Sequence, residues 1–135
     1  MLLLDIEAIS AVAHGPDHRR DRVRALVAEM RSRELPIATV AAILAEVVRS
    51  RPADAGVFSG LRRHRVEVHP VDTRVAVRAG EMLAGIGAGS EMSVDAFLVA
   101  DADLRGGAII ATCDLDDLAR LASLAARVRV ADLDS

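Results

Sequence analysis

"SVDAFLVADADLRGGAIIATCDLDDLARLA", Ser93 to Ala122, is the stretch on which the fold turns. Val94–Arg105 carries apolar residues at helical spacing, Gly106-Gly107 makes a turn, and Ala108–Thr112 is a run of small and β-branched residues of strand length. An acid, Asp114, follows two residues beyond Thr112, and Leu115–Leu121 resumes a short helical pattern. Helix, turn, strand, acid, helix is what a parallel sheet requires, because each strand must be joined to the next by a crossover.

The same alternation extends in both directions. Met1–Asp5 reads as a buried strand and Glu7–Ala13 as a short helix closed by Gly15-Pro16. In "DHRRDRVRALVAEMRSR" Val23, Leu26, Val27 and Met30 fall at helical spacing, with arginines on the other faces. Pro36–Thr39 is a second strand, and Thr39 is the expected N-cap of the helix that carries Glu46 and ends at Pro52. Ala53–Arg65 is helical, "RVEVHPVD" strand-like, Thr73–Leu83 helical, "GIGAGS" a loop, and Val128–Val130 a last strand. Without repeat, low-complexity tract or linker, residues 1–135 are expected to form a single α/β domain around a mostly parallel sheet covered on both faces. In such sheets the functional crevice lies beyond the carboxyl ends of the strands.

Composition narrows the chemistry. The chain is 52% hydrophobic, but Phe58 and Phe97 are its only aromatics, so the core must be aliphatic. All seventeen basic residues are arginine, and the net charge of -3 offers no global attraction for nucleic acid. Binding to nucleic acid then needs a local basic stripe or a metal ion. The single Cys113 forbids an internal disulfide and a paired-cysteine zinc site, which suits a reducing cytoplasm. "MLLLDIEAISAVA" lacks a basic n-region and is broken by Asp5 and Glu7, so it reads as strand entering helix, and no apolar run is long enough to span a membrane.

Four acids interrupt or close these apolar runs. Asp5 ends the first strand, Glu46 sits within an otherwise apolar helix, Asp95 lies in the first turn of a helix that Ser93 is expected to cap, and Asp114 follows the "AIIAT" strand. Each has a plain structural account. Glu46 can face solvent and pair with Arg49, Asp95 can favour the helix dipole, and Asp114 can be an N-cap. Asp5 is hardest to explain that way, because a carboxylate directly after "LLL" gains nothing at a buried strand end. If the strands of Asp5 and Asp114 are neighbours, three acids converge at one sheet edge and Glu46 can reach in from the side. Clustered carboxylates repel and take up protons unless a cation screens them. Oxygen-only donors suit Mg²⁺ or Mn²⁺, which can activate water and stabilise an in-line displacement at phosphorus.

The stretches "LLLDIEAISAV", "ATVAAILAEVVR" and the opening Ser93–Ala122 segment resemble, in order and spacing, the PIN-domain family, in particular the VapC-type toxins of bacterial toxin–antitoxin pairs. The resemblance implies a three-layer α/β/α sandwich with about five strands, and Mg²⁺- or Mn²⁺-dependent endoribonuclease activity. It carries the metal-binding and catalytic acids onto Asp5, Glu46, Asp95 and Asp114. Thr112 matches a hydroxyl residue that orients carboxylates, and Asp117 falls where some members place a further acid, although a helix-start charge explains it and Asp116 equally. Glu7 departs from the family, which has a small hydroxyl or amide residue there. It acts as an extra ligand, weakens substrate approach, or points away. Asp101 and Asp103 read as outer-face charge, and Cys113 as core.

The resemblance also implies a cognate VapB-type antitoxin that blocks the acidic pocket, and a homodimer. RNA approaching an acidic pocket needs flanking cations, for which Arg19, Arg20, Arg22 and Arg24 on one helix, or Arg62, Arg63 and Arg65 on another, are candidates beside their reading as a solvated face. With so few aromatics, base stacking cannot dominate. His14 and His18 have i,i+4 spacing but are separated by Gly15-Pro16, which speaks against a zinc pair. A phospho-receiver domain has similar acids but requires a lysine, and the chain has none. A structure-specific DNA nuclease needs helical insertions for which there is no room. The remaining alternative is a PIN fold with weakened catalysis that serves as an RNA- or partner-binding module.

Overall fold

A computed structural model describes residues Met1–Ser135. Five strands, β1 (Leu2–Leu4), β2 (Ile37–Val40), β3 (Glu67–His69), β4 (Ala108–Thr112) and β5 (Val128–Asp132), form one sheet in the order β3-β2-β1-β4-β5. All pairings are parallel, with Leu2 opposite Ile37 on one side and Ile109 on the other. The three central strands are buried almost throughout, as their unbroken apolar runs require.

The helices are α1 (Ile6–His14), α2 (Asp17–Ser32), α3 (Ala41–Val47), α4 (Asp54–Arg63), α5 (Thr73–Gly85), α6 (Ser93–Leu104) and α7 (Leu115–Ala122), with a 3₁₀ turn at Ser90–Met92. The chain first winds outward from β1 through β2 to β3, then crosses back to β4 and on to β5. Right-handed crossovers place helices of opposite winding direction on opposite faces. Accordingly α1 packs with α2, α3 and α4, and α6 packs with α5 and α7. The architecture is a three-layer α/β/α sandwich around an aliphatic core of 33 buried residues, none aromatic.

Local details depart from expectation at three caps. Thr39 does not cap α3: it lies inside β2, fully buried, and its hydroxyl donates to the Leu4 carbonyl across the sheet at 2.7 Å. The helix of Glu46 stops at Val47, short of Pro52, because Asp54 gathers the following loop by accepting from the Arg49 and Arg51 N–H groups at 2.9 and 3.0 Å. Ser93 does not cap α6, because the 3₁₀ turn leads straight into the helix and Ser93 is already its first residue.

Candidate metal centre

The winding direction reverses between β1 and β4, so these neighbours open a crevice at their carboxyl ends. Asp5 leaves β1 there. It is only 2% exposed, and its Oδ1 accepts from the Ala8 N–H at 2.9 Å, which makes it the N-cap of α1. The position after "LLL" is therefore not idle structurally, as sequence reasoning held: the carboxylate starts the next helix.

Across the crevice β4 ends at Thr112, fully buried. Its Oγ1 accepts from the Asp114 N–H at 2.9 Å, which fixes the turn out of the strand. The hydroxyl proton is then free for Asp5. Asp114 occupies the N-cap position of α7 but makes no capping bond, so its exposed carboxylate is not engaged by the helix. One turn on, half-buried Asp117 shares that helix face. Half-buried Asp95 comes from the first turn of α6. One carboxylate oxygen from each of Asp95, Asp114 and Asp117 lies within 4.8 Å of the others.

This trio is not the foursome read from the sequence. Asp117, there balanced against a helix-start charge, belongs to it, while Asp5 and Glu46 stand outside it but within its field. Glu46 is exposed in the last turn of α3 and does not pair with Arg49, whose guanidinium donates to the Ala45 and Val48 carbonyls. Asp116, on the other side of α7, is exposed. Sequence spacing held the signal for Asp117, three residues after Asp114. Only the packing of α6 against α7 shows that Asp95 faces the same side.

The electrostatics follow from burial and crowding. Burial, reinforced by the charges of Glu7 and Asp95, pushes the Asp5 carboxyl up to about 7, with the Thr112 hydroxyl and Ala8 N–H pulling the other way. Burial raises Asp95 to about 6, followed by the charges of Asp114, Asp117, Glu46 and Glu7. The charge of Glu7 is felt by both acids. No ion pair neutralises Asp5, Asp95 or Asp114, and Asp117 has only Arg120 at 3.8 Å on its exposed flank. Uncompensated carboxylate oxygens crowded at a crevice fit a hard divalent cation such as Mg²⁺ or Mn²⁺.

Two other readings are corrected. Asp101 is not outer-face charge: it is 1% exposed, 2.8 Å from His69 Nδ1, and accepts from Arg105 Nε at 2.9 Å. Asp103 is half-buried and accepts from Arg78 at 3.0 Å. The arginine cluster of α2 also divides. Arg19 is committed to Asp134 through two bonds of 2.7 and 2.9 Å, with His18 on the same carboxylate at 3.0 Å. Cys113 packs partly against the core, and burial holds its thiol up near 11.

No family model and no curated protein matches the sequence. Among solved structures, the chain is similar to a chain of VapBC2 from Rickettsia felis, determined bound to a DNA fragment from their promoter. The TM-score is 0.61 at 18% identity, over 97% of this chain and 98% of that one. A likeness of this extent establishes a shared fold, and the fold is PIN-like.

Proposed function

We propose that this protein is a Mg²⁺- or Mn²⁺-dependent endoribonuclease of the VapC toxin type, cytoplasmic and held inactive by a VapB-type antitoxin. The observation that carries the reading is the uncompensated carboxylate cup at the β1–β4 crevice, built by Asp95, Asp114 and Asp117 beside Asp5 and Glu46. The fold shared with the VapBC2 structure supports it, as does the absence of any helix long and apolar enough to cross a membrane. A homodimer is part of the same reading.

Asp95, Asp114 and Asp117 are the residues that would hold the cation, with Asp5 and Glu46 adding charge and oxygen donors. When bound, the ion supplies Lewis acidity and charge neutralisation for attack of water on a phosphodiester. The chain supplies the rest. Thr112 fixes the turn that presents Asp114. Asp5, with its pKa near 7, can hold or release a proton at neutral pH. Its rigidity comes from the α1 cap, which holds the carboxyl against Ala8.

Purified protein is expected to cleave structured RNA with Mn²⁺ or Mg²⁺ and to stop with EDTA, and Asp95→Asn or Asp5→Asn is expected to lose at least 100-fold in rate, roughly the lower end of what a positioned acid–base group contributes. Cleavage that survives either substitution rejects the assigned roles. One observation favours the second reading, a binding module with weakened catalysis: Glu7 adds a charge to the cup that Asp5 and Asp95 both feel. Wild type that binds RNA but never cuts it, with Glu7→Ser restoring cleavage, would decide for the module.

A further inference from the structure

α4 packs against α1 through Gly56 and Gly60: a Cβ at Gly60 would stand 2.6 Å from Val12 Cγ1. Beside this close crossing, Arg20 and Arg24 of α2 face Ser59 and Arg63 of α4 across a recess of ≈ 210 Å³. Arg20, Arg24 and Arg31 recur at spacings of four and seven, so they form one stripe along α2. Arg31 donates to the Arg63 carbonyl at 3.3 Å, and beyond it a second recess of ≈ 350 Å³ lies past His64 and Arg65, where Glu34 and Glu67 also line it and the basic stripe ends.

No carboxylate lines the first recess. Arg24, Arg31, Arg63 and Arg65 form no ion pair, and Arg20 has only Asp17 at 3.6 Å, with its Nε buried and unpartnered. His64 is only 8% exposed, its Nε2 has no partner, and burial followed by the charges of Arg31, Arg63 and Arg24 holds the imidazole toward its neutral form. Guanidiniums crowded about one neutral imidazole repel one another, so an anion entering the cleft gains from several of them at once. Arginine forks match phosphate oxygens in pairs.

We infer that the α2–α4 cleft is a docking site for phosphodiester groups of RNA, separate from the acidic cup and indifferent to base sequence. The choice of RNA as the polyanion rests on the proposed nuclease reading. A folded protein partner would need apolar anchors. The first recess offers only Val12 and Ala13, the apolar Leu35, Pro36 and Ile37 belong to the second, and the exposed Phe58 of α4 lines neither. Asp5 to Val12 spans about 10 Å along α1 at the helical rise per residue, so one strand can engage the cleft and reach the cup. The site also sorts the arginines of α2: Arg20 and Arg24 belong to it, whereas Arg22 points to the opposite side and Arg19 is held by Asp134.

The test is equilibrium binding of a labelled single-stranded oligoribonucleotide in EDTA across a salt series. Arg24 and Arg63 are exposed, so the double variant Arg24→Gln/Arg63→Gln should fold as wild type. It is expected to bind several-fold more weakly at low salt, with the log–log salt slope smaller by about 1.4, two lost contacts at about 0.7 each, while Arg22→Gln behaves as wild type. Unchanged RNA binding in the double variant overturns the site, and so does loss confined to binding of an acidic protein partner. Mn²⁺-dependent cleavage is measured in parallel. Cleavage by wild type with unchanged binding in the double variant removes the cleft and keeps the nuclease, whereas weakened binding in the double variant with no cleavage by wild type removes the nuclease and keeps the cleft.

Discussion

Asp95 is half-buried with four other carboxylates in its field, and Asp5 lies 2% exposed behind it. Both carboxyls titrate well above their ordinary range, so between about pH 4 and 7 these two groups bind more protons in the folded protein than in the unfolded chain. Their contribution to stability falls as pH rises, outweighing the single His64, whose lowered pKa acts in the opposite sense. For Asp5 the displacement from 3.8 to about 7 corresponds to about 4 kcal/mol at most. In EDTA the melting temperature is therefore expected to drop across this window, and Asp95→Asn is expected to raise it at neutral pH and flatten the profile. A thermal scan across the window checks both, and a metal-free protein most stable at neutral pH would contradict the crowding of the cup. The residue scale also shows where spacing misleads. Asp101 and Asp103 have the same side-chain chemistry two positions apart on α6, yet one is sealed against His69 and the other reaches Arg78.

At the scale of elements, one contact ties a helix to the sheet and another sets how two helices of one layer pack. The edge strand β3 is tied to α6 by His69, which lies 2.8 Å from Asp101 and 3.1 Å from Glu67. Removing one member of a buried pair strands the other without a partner. Asp101→Ala is expected to cost about 3 kcal/mol, read as a lower midpoint in urea denaturation. On the opposite face, Gly60 lets α4 approach α1, and Gly60→Ala forces Val12 aside. Overpacking of this kind costs about 1–3 kcal/mol, and here it also shifts the helix that begins at Asp5. That variant is expected to lower both the melting temperature and the rate of RNA cleavage, whereas Gly80→Ala, which meets nothing within 4 Å, is expected to be neutral or stabilising.

The whole molecule separates its charges. Acids gather at the carboxyl ends of β1 and β4, and Arg20, Arg24 and Arg63 line the α2–α4 cleft, so a net charge of -3 describes neither surface. A cation that binds only the folded cup adds stability in proportion to the logarithm of its concentration over Kd. Mn²⁺ is therefore expected to raise the melting temperature more at neutral pH than near pH 5, where Asp95, raised to about 6, holds its proton against the ion. An equal rise at both would remove the cup as the binding site. The sequence by itself determined the alternation of strand and helix, the parallel sheet and the aliphatic core. Each is a local matter of which residues are apolar and at what period, and Ala108–Thr112 and Asp17–Ser32 declare it without help from distant parts of the chain. The tertiary structure alone decided that Asp117 joins Asp95 and Asp114, that Asp101 is buried, and that Arg20 and Arg24 part company with Arg19. A charged residue's neighbours across a helix face are set by how the crossovers stack the layers, and that packing has no local periodicity to read.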